Sequence, residues 1–391
     1  MTTSTAVSSM IAPPDPLMES TLQDLPSWRG CDALERVLPR KDMDGAIFAP
    51  SQYSLRGTLI RDLPKGVVHM YEANLKEFNR LGQLIDGLRN VFYNDPSAVG
   101  RRIGYAPIRM LGWWRKNLKD EIDWLTTGGE PLPQVTPDEG IPNIPPAMGY
   151  QNSKTCLDQV LRTAAALNSK TSTAPIASRP DESRLDALLL GDGVYTSTVG
   201  IDFEMTGLDP TGDWVLNVGW AKGRPGAGED HIVPMKSVMF GASSSREVLG
   251  NPTQVINGID MEDVKGRPPL EADVETQCEI MDDLYSRPVM TAHSASMEDR
   301  LLEQCVDGYA EAKRDGIVKT VDTRLLSTWL DRDPGKTGNR LEDYARRWGT
   351  LDEDEAEAHH GLDDTMLMLR TEDRQLTELY RRSRVRSMGV R

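Results

Sequence analysis

From His69 to Phe92 the apolar residues Leu75, Phe78, Leu81, Ile85, Leu88 and Phe92 recur every three or four positions, marking one stripe of a long amphipathic helix. A second helical stretch follows at about 106–126. Between 127 and 149 the run TGGEPLPQVTPDEGIPNIPPAMG predicts a loop, because each proline removes a helical donor and presets turn geometry. Helical patterning returns at about 153–168, and the polar run over 168–183 then separates this half from a different kind of chain. Residues 1–68 mix proline, glycine, serine and charge without a sustained period, which predicts an irregular segment.

From 196 the apolar runs shorten to TSTVGIDF, DWVLNVGWA and HIVPM, with turns of glycine, aspartate and proline between them, the pattern of a three-stranded meander. A helix at about 270–286, a strand in PVMTA, a helix at 297–307, a strand in IVKTVD and helices near 323–330, 339–348 and 362–382 follow. Strands and helices alternating in this way predict an α/β fold with the sheet between helices. The expected organisation is an irregular segment (1–68), a mostly helical domain (69–168), a linker (169–185) and an α/β domain ending in a basic tail (186–391).

Composition agrees with two globular domains: 391 residues exceed one average core, and 38% hydrophobic with 27% charged residues is ordinary for a folded protein. No stretch approaches about 18 apolar residues and the N-terminus lacks a basic start, so neither a membrane span nor an export signal is expected, and the cytoplasm is the expected location. Cys31, Cys156, Cys278 and Cys305 form no C-x-x-C pair, which signals neither structural zinc nor a disulfide framework. The net charge of −15 is uneven: residues 1–190 carry 21 Lys+Arg against 22 Asp+Glu, a balance of −1, and 191–391 carry 24 against 38, a balance of −14. Such acidity argues against a domain that grips long duplexes through phosphate contacts.

Within the acidic half, Val199-Gly200-Ile201-Asp202-Phe203-Glu204-Met205-Thr206-Gly207-Leu208 sets two carboxylates two residues apart on a strand, so both face the same side. Alone, an aspartate and glutamate so spaced read as two solvated surface acids. Further on stands Thr291-Ala292-His293-Ser294-Ala295-Ser296-Met297-Glu298-Asp299, a strand running into a helix, and then Ala358-His359-His360-Gly361-Leu362-Asp363-Asp364. On helical geometry Glu298, Leu301, Leu302 and Cys305 share a face and Asp299 is rotated about 100° from it.

These segments together resemble the motifs of the DEDDh, or DnaQ-like, 3′→5′ exonucleases, a family with a ribonuclease H-like fold. The first segment is worded most like oligoribonuclease. The second resembles A-H-N-A-x-F-D with Glu298 in the aspartate slot and Asp299 one step later; the third resembles H-x-A-x-x-D, with His359 and Asp364 at the matching spacing, His360 and Asp363 as neighbours, and Gly361 in the small-residue slot. Asn257-Gly258-Ile259 with Gly266-Arg267-Pro268, and Val321-Asp322-Thr323, are similar to two further segments of the family in the same order. The resemblance covers about 185 residues and implies a pair of divalent cations, Mg²⁺ or Mn²⁺, bound by Asp202, Glu204, Glu298 and Asp364, with His359 as general base.

It further implies hydrolysis of single-stranded or short 3′-ended DNA or RNA to nucleoside 5′-monophosphates, with Thr206 and Leu208 contacting the terminal nucleotide. The competing reading is a nucleic-acid-binding or scaffold protein on an inactive exonuclease fold, which the glutamate at 298 favours. Arg101, Arg102, Tyr105, Arg109, Trp113, Trp114, Arg115, Lys116 and Lys119 form a basic and aromatic stretch that reads either as a phosphate and base contact or as core tryptophans with a solvated rim. Arg381, Arg382, Arg384 and Arg386 make a second basic patch near the C-terminus.

Overall fold

The computed structural model describes residues 65–94, 104–127, 197–330 and 340–388. The expected loop over 128–149, the helix at 153–168, the linker, Arg101, Arg102 and most of the irregular segment lie outside them. Two long helices come first, α1 (Lys65–Asn94) and α2 (Ala106–Thr127). Residues 65–68, expected to be irregular, are already helical; an apolar stripe reports which face is buried, and the backbone helix begins before that face does.

Strands β1 (Thr198–Met205), β2 (Val215–Gly223) and β3 (Val233–Met239) form the antiparallel meander. Short helices α3 (Ser244–Leu249), α4 (Gln254–Asn257) and α5 (Met261–Val264) lead to α6 (Val274–Ser286). Then β4 (Val289–Ala292), α7 (Ser296–Cys305), α8 (Tyr309–Arg314) and β5 (Lys319–Asp322) follow, with α9 (Thr323–Leu330), α10 (Leu341–Arg347) and α11 (Gly361–Met388) last. The sheet order is β3-β2-β1-β4-β5, and β4 runs parallel to β1 and β5. No helix among the described residues is long and apolar enough to cross a membrane.

Alternation along β1 decides which layer sees what. Val199, Ile201 and Phe203 join Ile280, Leu284, Leu301 and Leu302 in the core beneath α6 and α7. Gly200 faces the opposite side, where an added Cβ would stand 2.9 Å from Leu369 of α11. Asp202 and Glu204 continue that second face. The start of α11 presses onto it without side chains in between: a Cβ on Gly219 would meet the Leu362 nitrogen at 1.9 Å, and one on Gly361 would meet the Gly219 nitrogen at 2.6 Å. Glycine at both positions lets two backbones touch, which brings the first turn of α11 down onto Asp202.

Helices α1 and α2 are built into this layer. The Glu303 carboxylate of α7, fully buried, accepts from Arg89 (2.7 Å), Tyr93 (2.8 Å) and Tyr105 (2.9 Å). Lys116 and Glu271 form an ion pair with almost no exposure on either side, Arg246 pairs with Asp120 (2.7 Å) and Asp123 (2.5 Å), and Trp113 packs edge-on against Trp214 at 5.0 Å. Of the two readings of the basic and aromatic stretch, core tryptophans is the one the structure bears out, while the solvated rim is corrected: Tyr105, Arg109, Trp113, Trp114, Arg115 and Lys116 are all buried, and Lys119 pairs with Asp213. Their charges are spent on partners within the chain, not held open for phosphate.

Candidate active site

Asp202 and Glu204 reach the α11 face of the sheet from β1, as their spacing of two requires. Asp364 arrives one turn into α11, and His359 stands just ahead of that helix in a left-handed conformation, φ 51°. Carboxylate oxygens of Glu204 and Asp364 and a ring nitrogen of His359 all lie within 4.8 Å of one another. Asn217, paired with Glu204 across the sheet, accepts the Gly361 N–H at 3.0 Å and pins the helix start. The neighbours stand apart: His360 and Asp363 are exposed, and His360 contributes only its carbonyl, accepting from the Asp364 N–H at 3.0 Å.

Glu298 occupies the first turn of α7 and is 6% exposed, with one carboxylate oxygen, Oε2, lacking any partner among the described residues. Its charge is felt by Asp202. Asp299 is also buried but serves another purpose: it accepts from the Tyr309 hydroxyl at 2.6 Å and the Thr320 hydroxyl at 3.0 Å, and pairs with Lys313. The turn that delivers α7 contains Ser294 at φ 68°, held by its N–H to Asp322 at 3.2 Å. Asp322 in turn accepts from the Arg324 (2.9 Å) and Leu325 (3.3 Å) N–H groups at the start of α9.

Thr206 is buried, and its hydroxyl accepts from the Trp214 N–H at 2.9 Å while donating to Asp213 at 3.2 Å. That hydroxyl is committed to the turn after β1. Leu208, two residues on, is 71% exposed. One site neighbour had no signal in sequence reasoning. Glu357, half-buried in an acidic run, faces Asp202, Glu204, Asp364 and His359 electrostatically.

Burial of so many carboxyls together raises their affinity for protons. Desolvation first, and the neighbouring acids second, hold Asp202 well above the usual carboxylate range and push Asp364 up to about 8. Glu298 is likewise held well above that range by burial and then by Asp322 and Asp299. Desolvation raises Glu204 to about 7, opposed by Asn257 beside it. No lysine or arginine forms an ion pair with any of these four among the described residues. A partly buried, oxygen-rich cluster with an orphaned carboxylate oxygen and an imidazole at its edge fits a hard divalent cation.

These shifts set a sign for stability. Each carboxyl binds its proton more tightly folded than unfolded, so its stabilising contribution is complete below the unfolded value near 4 and is lost as pH rises through the folded values of about 7 and 8. The metal-free protein should therefore melt at progressively lower temperature between pH 5.5 and 8.5. A divalent cation replaces the protons and should raise the melting temperature more at pH 8.5 than at pH 5.5. Melts in EDTA and in Mg²⁺ at both pH values check this; equal metal-induced shifts would rule it out.

The sequence matches no protein-family model and no curated protein sequence. Among solved structures the chain is similar to E. coli Exonuclease I, determined in complex with a dT13 oligonucleotide, at 14% identity and a TM-score of 0.37. The alignment covers 49% of this chain and 43% of that one, less than half the length of either.

Proposed function

We propose that this chain is a metal-dependent 3′→5′ exonuclease with a ribonuclease H-like catalytic layer, hydrolysing phosphodiesters from a 3′ end to release nucleoside 5′-monophosphates. The observation that carries the proposal is the convergence of Glu204, His359 and Asp364, from two distant segments, on one partly buried cluster whose carboxylates form no ion pair with a lysine or arginine among the described residues. The resemblance of the motifs supports the 3′→5′ direction; the geometry supports metal-assisted phosphoester hydrolysis.

Asp202, Glu204 and Asp364 would hold one Mg²⁺ or Mn²⁺, and Glu298 together with Asp202 a second. When bound, such cations stabilise charge on the attacking and leaving oxygens. His359, at the rim of the cluster, takes the proton from the attacking water, a general-base role that imidazole commonly fills. Leu208 is exposed at the turn after β1, and an apolar side chain there would meet a base face rather than a phosphate. The acidic surroundings favour a short or single-stranded 3′ end over a long duplex.

The test is a labelled single strand with a free 3′ hydroxyl, as DNA and as RNA, incubated with Mg²⁺ or Mn²⁺. Stepwise shortening that EDTA stops is the expected result. A folded protein that leaves both polymers and a dinucleotide intact with either metal would favour the alternative, a nucleic-acid-binding or scaffold protein on an inactive fold.

A further inference from the structure

The end of β1 is where the sheet gives least support to Glu204. The parallel pairing of β1 with β4 is recorded for Val199 with Met290 and Gly200 with Thr291, and β4 ends at Ala292, so β1 outruns it. On the other side the antiparallel register slips between Glu204 and Met205, whose partners in β2 are Asn217 and Val215. An irregular register re-aims side chains and weakens the local ladder. Glu204 thus sits beside a register irregularity, on a strand end paired to β2 without recorded pairing to β4.

Side chains from the α3–α5 region take over there. The Thr253 hydroxyl lies 2.5 Å from the Met205 carbonyl, and the Asn257 carboxamide donates to the same oxygen at 3.2 Å and to the Thr253 hydroxyl oxygen at 3.1 Å. The carboxamide oxygen of Asn257 is itself fixed by the Asn251 side chain (3.0 Å) and the Ile259 N–H (3.2 Å), and that of Asn251 accepts from the Thr253 N–H at 3.1 Å. All three residues are buried. Packing has no need of three polar side chains in such a place; the donors of Thr253 and Asn257 converge on the Met205 carbonyl, immediately after Glu204, and Asn251 fixes Asn257.

We propose that Thr253 and Asn257 are positioning residues for Glu204, gripping the Met205 carbonyl so that the Glu204 carboxylate stays opposite His359 and Asp364. The inference rests on the metal-site reading above. Asn257 acts on the Met205 carbonyl directly and also on the Thr253 hydroxyl that grips it. Thr253 acts only through the backbone, which makes it the cleaner probe.

The experiment is Mn²⁺ binding by calorimetry on the full chain, alongside oligonucleotide cleavage across a range of metal concentrations. Thr253→Val keeps the shape and removes the hydroxyl; Mn²⁺ affinity should fall by about 10–100-fold, the usual effect of losing a partner that orients a ligand. Cleavage should recover at high metal, KM for the oligonucleotide should hold, and Thr253→Ser should restore affinity. Asn257→Ala provides a second variant, and thermal melts establish that each is folded. Wild-type and variant proteins that bind Mn²⁺ equally would overturn the inference and leave the metal site standing. A folded wild-type protein that binds no Mn²⁺ would overturn both.

Discussion

A chain beginning at residue 186 is expected to be unable to fold into a soluble monomer, although all the candidate catalytic residues lie within it. Without α1 and α2 the cluster that buries Trp214 and Ala310 against Ile108, Leu111, Trp113 and Leu118 is cut open. Fully burying one large apolar side chain is worth about 1.5–3 kcal/mol, so a face of this size compares with the roughly 5–15 kcal/mol that keeps a typical domain folded. The charges matter less, because water would reach Glu271, Arg246 and Glu303 once their partners are gone, whereas removing one partner from an intact buried pair costs about 3–5 kcal/mol. Exposed apolar surface of this kind also promotes association. Soluble yield, mass by light scattering and melting cooperativity, compared with the full chain, decide the matter. A monomeric fragment that melts cooperatively near the full-length temperature would show that the helices are an accessory.

Local pattern and long-range pairing divide what could be read from the sequence. The strands were legible because β-prone runs end at glycine, aspartate or proline, and the acids of β1 because a spacing of two fixes their common face. The same holds for α1, α2 and α11, whose periodicity is sustained over several turns. The pairing of α2 with the sheet layer was not legible. Lys116 and Glu271 are 155 positions apart, and a lysine on an amphipathic helix reads as solvated until the acid that meets it is known. Glu357 was hidden for the opposite reason: it stands among four other acids within 352–357 and nothing local distinguishes the one that turns inward. Glycines 219 and 361 show the limit of motif reading, since the small-residue slot was visible but its cause, contact between two backbones, was not.

Glu298 and Asp299, adjacent in sequence and both buried, are expected to fail in different ways when altered. Glu298 has an unpartnered carboxylate oxygen and is charged only at the expense of burial, so Glu298→Gln removes an electrostatic burden from the metal-free protein. Its melting temperature in EDTA at pH 8.5 should hold or rise. Cleavage should fall by more than the about 10–100-fold that loss of an orienting partner costs, because Glu298 would contact the second cation itself. Asp299→Asn strips the charge from a buried pair with Lys313 and weakens the acceptor for Tyr309 and Thr320. It should destabilise the fold by about 2–3 kcal/mol, less than a fully dry pair because Lys313 keeps some solvent contact. At a temperature where this variant is still folded, its cleavage rate should stay within a few-fold of wild type. Melting curves and initial rates on the two proteins separate the roles, and a stable Asp299→Asn protein without cleavage would move the second-metal carboxylate one residue along α7.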